Sequence, residues 1–412
     1  MFFSKTDGEA SPSLKILLLT HSFWPENSPP QRRWKSFTRS LAEAGHQVSV
    51  VTPYPKASSE YPKSHSAEQD QRIRMIRYPA FGSVTSLIGK AVRSLFHAFA
   101  SVPASLRNGR QDVVIATVPA LSTLFSGFAA SRLLRAQFVV DLRDPWPDLF
   151  RDSKILRPRR LEPLAIRAVL YLLRKADLVV TVTEGLAHTA RNQGIRHVST
   201  IPNGVDLANY PLPRKRSENS PQRRLRVLYL GNVGLSQGLD LLIRSAAQLP
   251  GRIEVRLVGE GNDKVRLQRL ASELRAPVHF FDPIRGEQVL DMYSWADTVV
   301  VSLRPDWPSF SHTVPSKLYE LLALDLHVTG LVQGEAADII TDARAGQIVR
   351  QNIKALTTYF EHLLQDPLVL KASGDGPQWI ARNADLARLG RQYTQQLEAL
   401  IAPEASAGRV HS

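Results

Sequence analysis

Short, continuous apolar runs separated by helix-period segments, repeated through both halves of the chain, restrict its fold more than any other feature. The run Lys15-Ile16-Leu17-Leu18-Leu19 is followed by Trp34, Phe37 and Leu41 on one helical face, and then by Val48-Ser49-Val50-Val51. Strands that lack polar alternation are covered on both faces, which is the mark of a parallel sheet between helices. Residues 73–76, 113–116, 138–141 and 178–182 continue the pattern. Residues 209–226 break it with three prolines and a polar, basic core, Arg214-Lys215-Arg216-Ser217-Glu218, and read as a linker. The alternation restarts at Val227-Leu228-Tyr229-Leu230 and recurs at 254–258, 278–281 and 298–301. A chain of 412 residues exceeds what one hydrophobic core serves. The expected fold class is α/β: two doubly wound Rossmann-like domains, residues 1–208 and 227–377, facing across a cleft, with a helix-like segment and tail at 378–412.

Fifty-two Lys and Arg against 38 Asp and Glu give a formal charge of +14, which calls for an anionic partner. The charge is uneven: residues 71–111 hold no acidic residue but carry Arg72, Arg74, Arg77, Lys90, Arg93, Arg107 and Arg110. Within that stretch, residues 84–102 form a basic amphipathic pattern. Val84, Leu87, Ile88, Ala91, Leu95, Phe99 and Val102 recur on one face, and Ser86, Lys90, Arg93, His97 and Ser101 on the other. Such a helix is expected to lie on an anionic membrane with its cations near lipid phosphates, or to cover the sheet; the two are compatible. No nucleic-acid module accompanies the charge, so nucleic acid is not an expected partner. There is no cysteine, hence no disulfide and no thiolate metal site. No run of about 18 apolar residues could span a bilayer, and residues 1–13 show no apolar signal core.

Open α/β sheets bind ligands at the carboxyl ends of their strands. Two glycine-rich loops meet that rule. The first, Gly231-Asn232-Val233-Gly234-Leu235-Ser236-Gln237-Gly238, suits a diphosphate; the second, Gly259-Glu260-Gly261-Asn262, suits a nucleoside. Plain turn chemistry explains either as well. In Pro315-Ser316-Lys317-Leu318-Tyr319-Glu320 a helix begins, with Lys317 in its first turn and Glu320 three residues on, so a cation and a carboxylate share one face. The alternative is a surface ion pair. On the first domain, Asp144 follows a strand end and could orient or deprotonate an acceptor hydroxyl, or serve as a helix cap or ion-pair partner of Arg143. His21, Glu26, Arg32 and Arg33 are further acceptor-side candidates, or ordinary loop residues. No His/Asp/Glu cluster has metal-ligand spacing, so no metal is expected.

These segments together resemble family 4 glycosyltransferases, in particular the subgroup that adds N-acetylated aminosugars in O-antigen and capsule synthesis. Asp141-Leu142-Arg143-Asp144-Pro145-Trp146-Pro147 resembles its Asp-x-Arg-Asp-x-Trp-Pro motif. Ile201-Pro202-Asn203-Gly204-Val205-Asp206 closes the first domain as that family does. The Gly231 loop, the Pro315 helix and Gly334-Glu335-Ala336-Ala337-Asp338-Ile339-Ile340 follow in the family's order, over residues 15–351. The resemblance implies the GT-B fold, with its terminal helix packed back on the first domain. It also implies retaining, metal-independent transfer from a nucleotide sugar, UDP-linked, to a lipid-linked saccharide at the cytoplasmic membrane face. By it Glu320 holds the donor ribose, while charge assigns Lys317 and Arg304 to the diphosphate; Gly231, Asn232, Gly234, Gln237, Gly259, Gly261, His312 and Ser316 complete the donor set. His312 stands where the family's first glutamate would be, the first loop lacks the usual Arg and Lys pair, and Leu324-Asp325-Leu326-His327-Val328 replaces a glycine and a proline. A narrowed donor site, a sugar-nucleotide epimerase or hydrolase, and a binding protein without turnover are the competing expectations.

Overall fold

The computed structural model describes residues 13–25, 29–55, 72–80, 87–118, 121–145, 162–210, 224–371 and 374–402. Glu26, Trp146, Pro147, Val84, Ser86 and most of the linker lie outside them. The first sheet comprises β1 Lys15–Leu19, β2 Gln47–Pro53, β3 Ile73–Tyr78, β4 Val113–Val118, β5 Gln137–Leu142, β6 Leu178–Thr181 and β7 Val198–Thr200. Its strands are all parallel, in the order β3-β2-β1-β4-β5-β6-β7. The second comprises β8 Leu225–Leu230, β9 Ile253–Val258, β10 Val278–Phe281, β11 Thr298–Ser302, β12 Val328–Leu331 and β13 Gly346–Ile348, also parallel, ordered β10-β9-β8-β11-β12-β13. Every residue of β4 is buried, as a strand flanked by helix layers requires. Each sheet reverses strand order next to its first strand, so two switch-point crevices open at the carboxyl ends of the strands.

One face of the first sheet packs on helix Pro29–Glu43, whose Trp34, Phe37 and Leu41 join the core with Ile16, Leu18 and Val50. The opposite face carries helices Leu87–Leu106, Leu121–Leu134 and Glu162–Arg174. The terminal segment is two helices, where the pattern suggested one. Asp375–Asn383 packs on the second domain through Ile380 and through Trp379, 6.4 Å from Tyr319. Leu386–Ile401 packs on the first, its Tyr393 ring 5.4 Å from Trp34 and 5.2 Å from Phe37. The break comes from a long-range strand-like pairing: Val205 donates to the Ala384 carbonyl at 3.1 Å, and Leu386 donates to the Val205 carbonyl at 2.9 Å. Asp385 then caps the last helix by accepting from the Arg388 N–H.

The amphipathic helix turns apolar residues outward, which differs from a helix that covers the sheet with its apolar stripe. Ser101, Ala104 and Ser105 face the protein and are buried, while Leu95 is 59% and Phe99 76% exposed, with Val92 and Leu106 exposed beside them. His97 also faces inward, its ring 5.7 Å edge-on to Tyr78 at the end of β3. Among the described side chains, His97, Ser101 and Ser105 therefore lie toward the sheet, and Val92, Leu95 and Phe99 toward solvent. Side chains of Leu87, Ile88, Lys90 and Ala91 lie outside the described set.

Candidate active site

Helix Ser316–Ala323 begins directly after Pro315, whose φ of −60° suits a helix start, and buries Leu318, Tyr319, Leu321 and Leu322 in the core. That burial fixes the helix and carries Glu320 inward at the cleft. The Glu320 side chain is only 4% exposed, yet it is fully engaged. Lys317 Nζ lies 2.7 Å from one carboxylate oxygen and Arg32, from the first domain, 2.8 Å from the other. The Tyr293 hydroxyl donates at 3.4 Å, and Tyr210 hydrogen-bonds the same carboxylate. Burial alone would raise the carboxyl pKa; Lys317, Arg32 and Tyr210 together hold it below its ordinary value. The Lys317–Glu320 pair does form, but as a buried element of an interdomain cluster, unlike the surface ion pair it could have been. Arg32, Ser316, Asn203 and Gly204 line the narrow crevice beside it.

The two glycine loops pack on one another. A Cβ on Gly259, whose φ is +145°, would lie 1.8 Å from the Gly231 carbonyl oxygen, and one on Gly261 2.2 Å from that of Val233. Glycine is required there for loop-on-loop contact, as turn chemistry allowed. Gln237 Oε1 accepts from the Gly234 N–H at 3.2 Å and from Asn232 Nδ2 at 3.3 Å, holding the first loop open at the end of β8. This loop has no cation of its own. Arg304, leaving β11, supplies one: its N–H donates to Ser236 at 3.0 Å and its Cγ would meet a Cβ on Gly238 at 3.2 Å. The guanidinium makes a bidentate pair with Asp306 at 2.8 and 2.6 Å.

His312 ends the short turn Pro308–His312 and lies at the domain contact. Its carbonyl accepts from Thr183 Oγ1 at 2.8 Å. A Cβ on Gly185 would come 2.1 Å from His312 Nδ1 and 2.7 Å from Glu335 Oε1, so only glycine admits this approach. Glu335 accepts from the N–H groups of Glu184, at 3.0 Å, and Gly185, at the start of helix Glu184–Asn192. Burial raises the Glu335 pKa, and those two N–H groups partly offset it. Glu335 was part of a recognised motif, but its bridging of the domains had no local signal.

On the first domain, Arg33 is buried and also lines the narrow crevice beside Glu320. Its side chain is 2% exposed and donates to Asp141 Oδ1 at 3.1 Å, to the Ile201 carbonyl at 3.0 Å and to the Pro202 carbonyl. His21 follows β1; burial, then Arg143 and His97, lower its pKa to about 4, so it is neutral at pH 7. Asp144 follows β5 with its pKa raised by burial and partly restored by Arg143. No ion pair joins Asp144 to Arg143 among the described residues. Asp325 and His327 precede β12, at the end of the sheet away from the cleft. Asp325 takes the left-handed φ of 51° that a glycine would supply and accepts from the N–H groups of Gly374 and Gly376. His327 is buried against Thr298 at 2.9 Å. Neither lies at the carboxyl end of the strands. Among the described residues, no group of three or more His, Cys, Asp or Glu could hold a metal ion.

Two facing, fully parallel α/β domains with a buried Lys–Glu helix at their cleft define a GT-B glycosyltransferase. Residues 31–209 match the Glycosyltransferase Family 4 profile and residues 224–366 the Glycosyl transferases group 1 profile, so the chain belongs to glycosyltransferase family 4. It is 22% identical over 338 residues to the putative colanic acid biosynthesis glycosyl transferase WcaI of Escherichia coli K12, covering 76% of this chain and 81% of that one. Among solved structures, sucrose-phosphate synthase from Thermosynechococcus elongatus superposes with a TM-score of 0.72 at 17% identity, over 94% of this chain and 99% of the other. HepE of Anabaena, in complex with UDP and glucose, gives 0.67 at 17% identity, over 94% and 100%. The lipopolysaccharide biosynthesis glycosyltransferase WaaG gives 0.60 at 16%, over 93% and 99%.

Proposed function

We propose that this glycosyltransferase moves an N-acetylated aminosugar from a UDP-sugar to a lipid-linked saccharide, with retention and without a metal, in the synthesis of a cell-surface polysaccharide. The observation that carries this reading is the buried Glu320 carboxylate at the cleft, ringed by donors from both domains. A ribose presents two adjacent hydroxyls, which a carboxylate kept ionised accepts well. Arg304 stands against the first glycine loop and Lys317 beside Glu320, and both cations suit the diphosphate. As the bond from the sugar C1 to the diphosphate oxygen breaks, the charge that grows on that oxygen is met by preorganised cations and backbone N–H groups. The new bond forms to the acceptor oxygen, whose proton passes to a base; Asp144, its pKa raised by burial, suits that task. That a relative is named for colanic acid synthesis, and that HepE was crystallised with UDP and with UDP-glucose, supports the donor and pathway class.

The helix layer on one face of the first domain supports peripheral attachment to the inner face of the plasma membrane as part of this reading. Leu95 and Phe99, Phe125 and Leu133, and Leu164 and Tyr171 are exposed on its three helices, interleaved with Arg132, Arg174 and Lys175. Apolar side chains of this kind partition into the acyl boundary while the cations meet anionic headgroups. The Phe99→Ser variant is expected to bind anionic liposomes roughly tenfold more weakly, and unchanged sedimentation with liposomes would remove the membrane claim. Turnover assays of Lys317→Ala and Glu320→Ala against UDP-sugars test the site itself; wild-type rates in both would remove it.

A further inference from the structure

The first domain holds a half-buried cation, two of whose donor nitrogens are out of solvent without a protein acceptor. Arg143, directly after β5, donates from Nη2 to Asn203 Oδ1 at 3.3 Å, while Nε and Nη1 are out of solvent and unpartnered. The nearby carboxylates do not complete it: Asp141 gives one oxygen to Arg33 at 3.1 Å and its Oδ2 has no partner, but among the described residues no carboxylate oxygen lies within 4 Å of Arg143. His21, at the end of β1, and His97, on helix Leu87–Leu106, each bring a further buried Nδ1 without a partner. Leaving such groups unmet is costly, so the site is complete only when an acceptor enters.

Guanidinium N–H groups in a fixed fork match phosphate oxygens. In the Nδ1–H tautomer both histidines donate as well. Access to this corner is set by the helix that supplies His97: its opposite side exposes Leu95 and Phe99. A molecule with an apolar tail among lipid chains and a phosphate group at headgroup depth would therefore reach Arg143 past that helix. Arg93, one turn before His97, adds a positive charge on the way.

We infer that Arg143, with His21 and His97, anchors the diphosphate of a lipid diphosphate acceptor. This rests on the glycosyltransferase reading of the cleft and adds the acceptor's anchoring group to it. The same chemistry could be supplied by the donor's own diphosphate, and the arms of the test separate the two.

Calorimetric titration of the full chain with farnesyl diphosphate, farnesol and UDP supplies the readout. The wild type is expected to bind farnesyl diphosphate and UDP, and farnesol much more weakly. Arg143→Gln should raise the Kd for farnesyl diphosphate at least about tenfold and leave that for UDP unchanged. His97→Ala, at a half-buried helix position, should raise it several-fold and keeps the test open if Arg143→Gln does not fold. The inference is overturned if the folded Arg143→Gln variant binds farnesyl diphosphate normally, if farnesol binds as well as the diphosphate, or if only UDP binding weakens. UDP binding without any farnesyl diphosphate binding sinks this inference alone, whereas failure to bind UDP sinks the donor reading.

Discussion

The two lobes present their polar groups to the cleft in opposite states. In the second, nearly every candidate ligand group is already paired: Lys317 and Arg32 with Glu320, Arg304 with Asp306, Gln237 with the Gly234 N–H. In the first, His21 Nδ1 and two guanidinium nitrogens of Arg143 are buried and unmatched. The second lobe is preorganised but self-satisfied, so under the proposed function a nucleotide exchanges partners with it. The first lobe keeps donors that, under the proposed function, meet the acceptor's anion, with Asp141 Oδ2 also unpartnered beside them. A paired site tolerates being empty; an unpaired one is destabilised until filled.

The histidines give the largest expected effect, and it is shared by the two lobes. His21, unpartnered on one ring nitrogen in the first lobe, and His327, bonded to Thr298 in the second, both have pKa values lowered by burial to about 4. The unfolded chain takes up these protons near 6.5 and the folded chain only near 4. Stability is therefore full above about pH 6.5 and falls as the pH drops toward 4, by at most about 3 kcal/mol for each histidine. Thermal melts across that window should show the loss, and His21→Gln or His327→Gln should each flatten it. A melt independent of pH between 4 and 6.5 would remove the buried, neutral assignment.

Glu320→Gln keeps the shape and removes the charge. It is expected to lower kcat/KM about 100-fold, through two weakened charge-assisted bonds to the ribose. An unchanged kcat/KM would break the donor half of the comparison.

Arg304→Ala should weaken UDP binding about tenfold, read by titration. The smallest effect is expected for Arg32→Ala. Its pair with Glu320 spans the lobes, but the Arg32 side chain is 41% exposed, which places it among weak ion pairs. If ribose displaces Arg32, this variant should bind UDP tighter by no more than about fivefold; weaker binding would show that Arg32 assists the nucleotide instead.

Ten of the thirteen strands were legible because buried parallel strands are continuous apolar runs, as in Val113 to Val118 and Thr298 to Ser302. The others, β7, β12 and β13, are short, and β12 reads Val328-Thr329-Gly330-Leu331, whose Thr and Gly hide it. The split of the terminal helix depends on Val205, far away in the chain, and no local pattern records it. Helical periodicity revealed the stripes of helix Leu87–Leu106 but not which stripe faces the sheet. The Lys317–Glu320 pair was legible as an i,i+3 spacing, whereas Arg32 reaching Glu320, Glu335 reaching Gly185 and the unmatched Arg143 arise only from tertiary juxtaposition. Arg33 is both: it lines the crevice beside Glu320, as its position suggested, and by packing it is a buried support for Asp141.

The most direct test of the central claim is a mass-resolved assay with UDP-N-acetylated aminosugars as donors and a bacterial lipid extract as acceptor. The predicted result is UDP release matched by a lipid-linked product heavier by one sugar residue, abolished together in Glu320→Ala. Release of free sugar or an epimer from the donor alone, with no change in the lipid fraction, would contradict it.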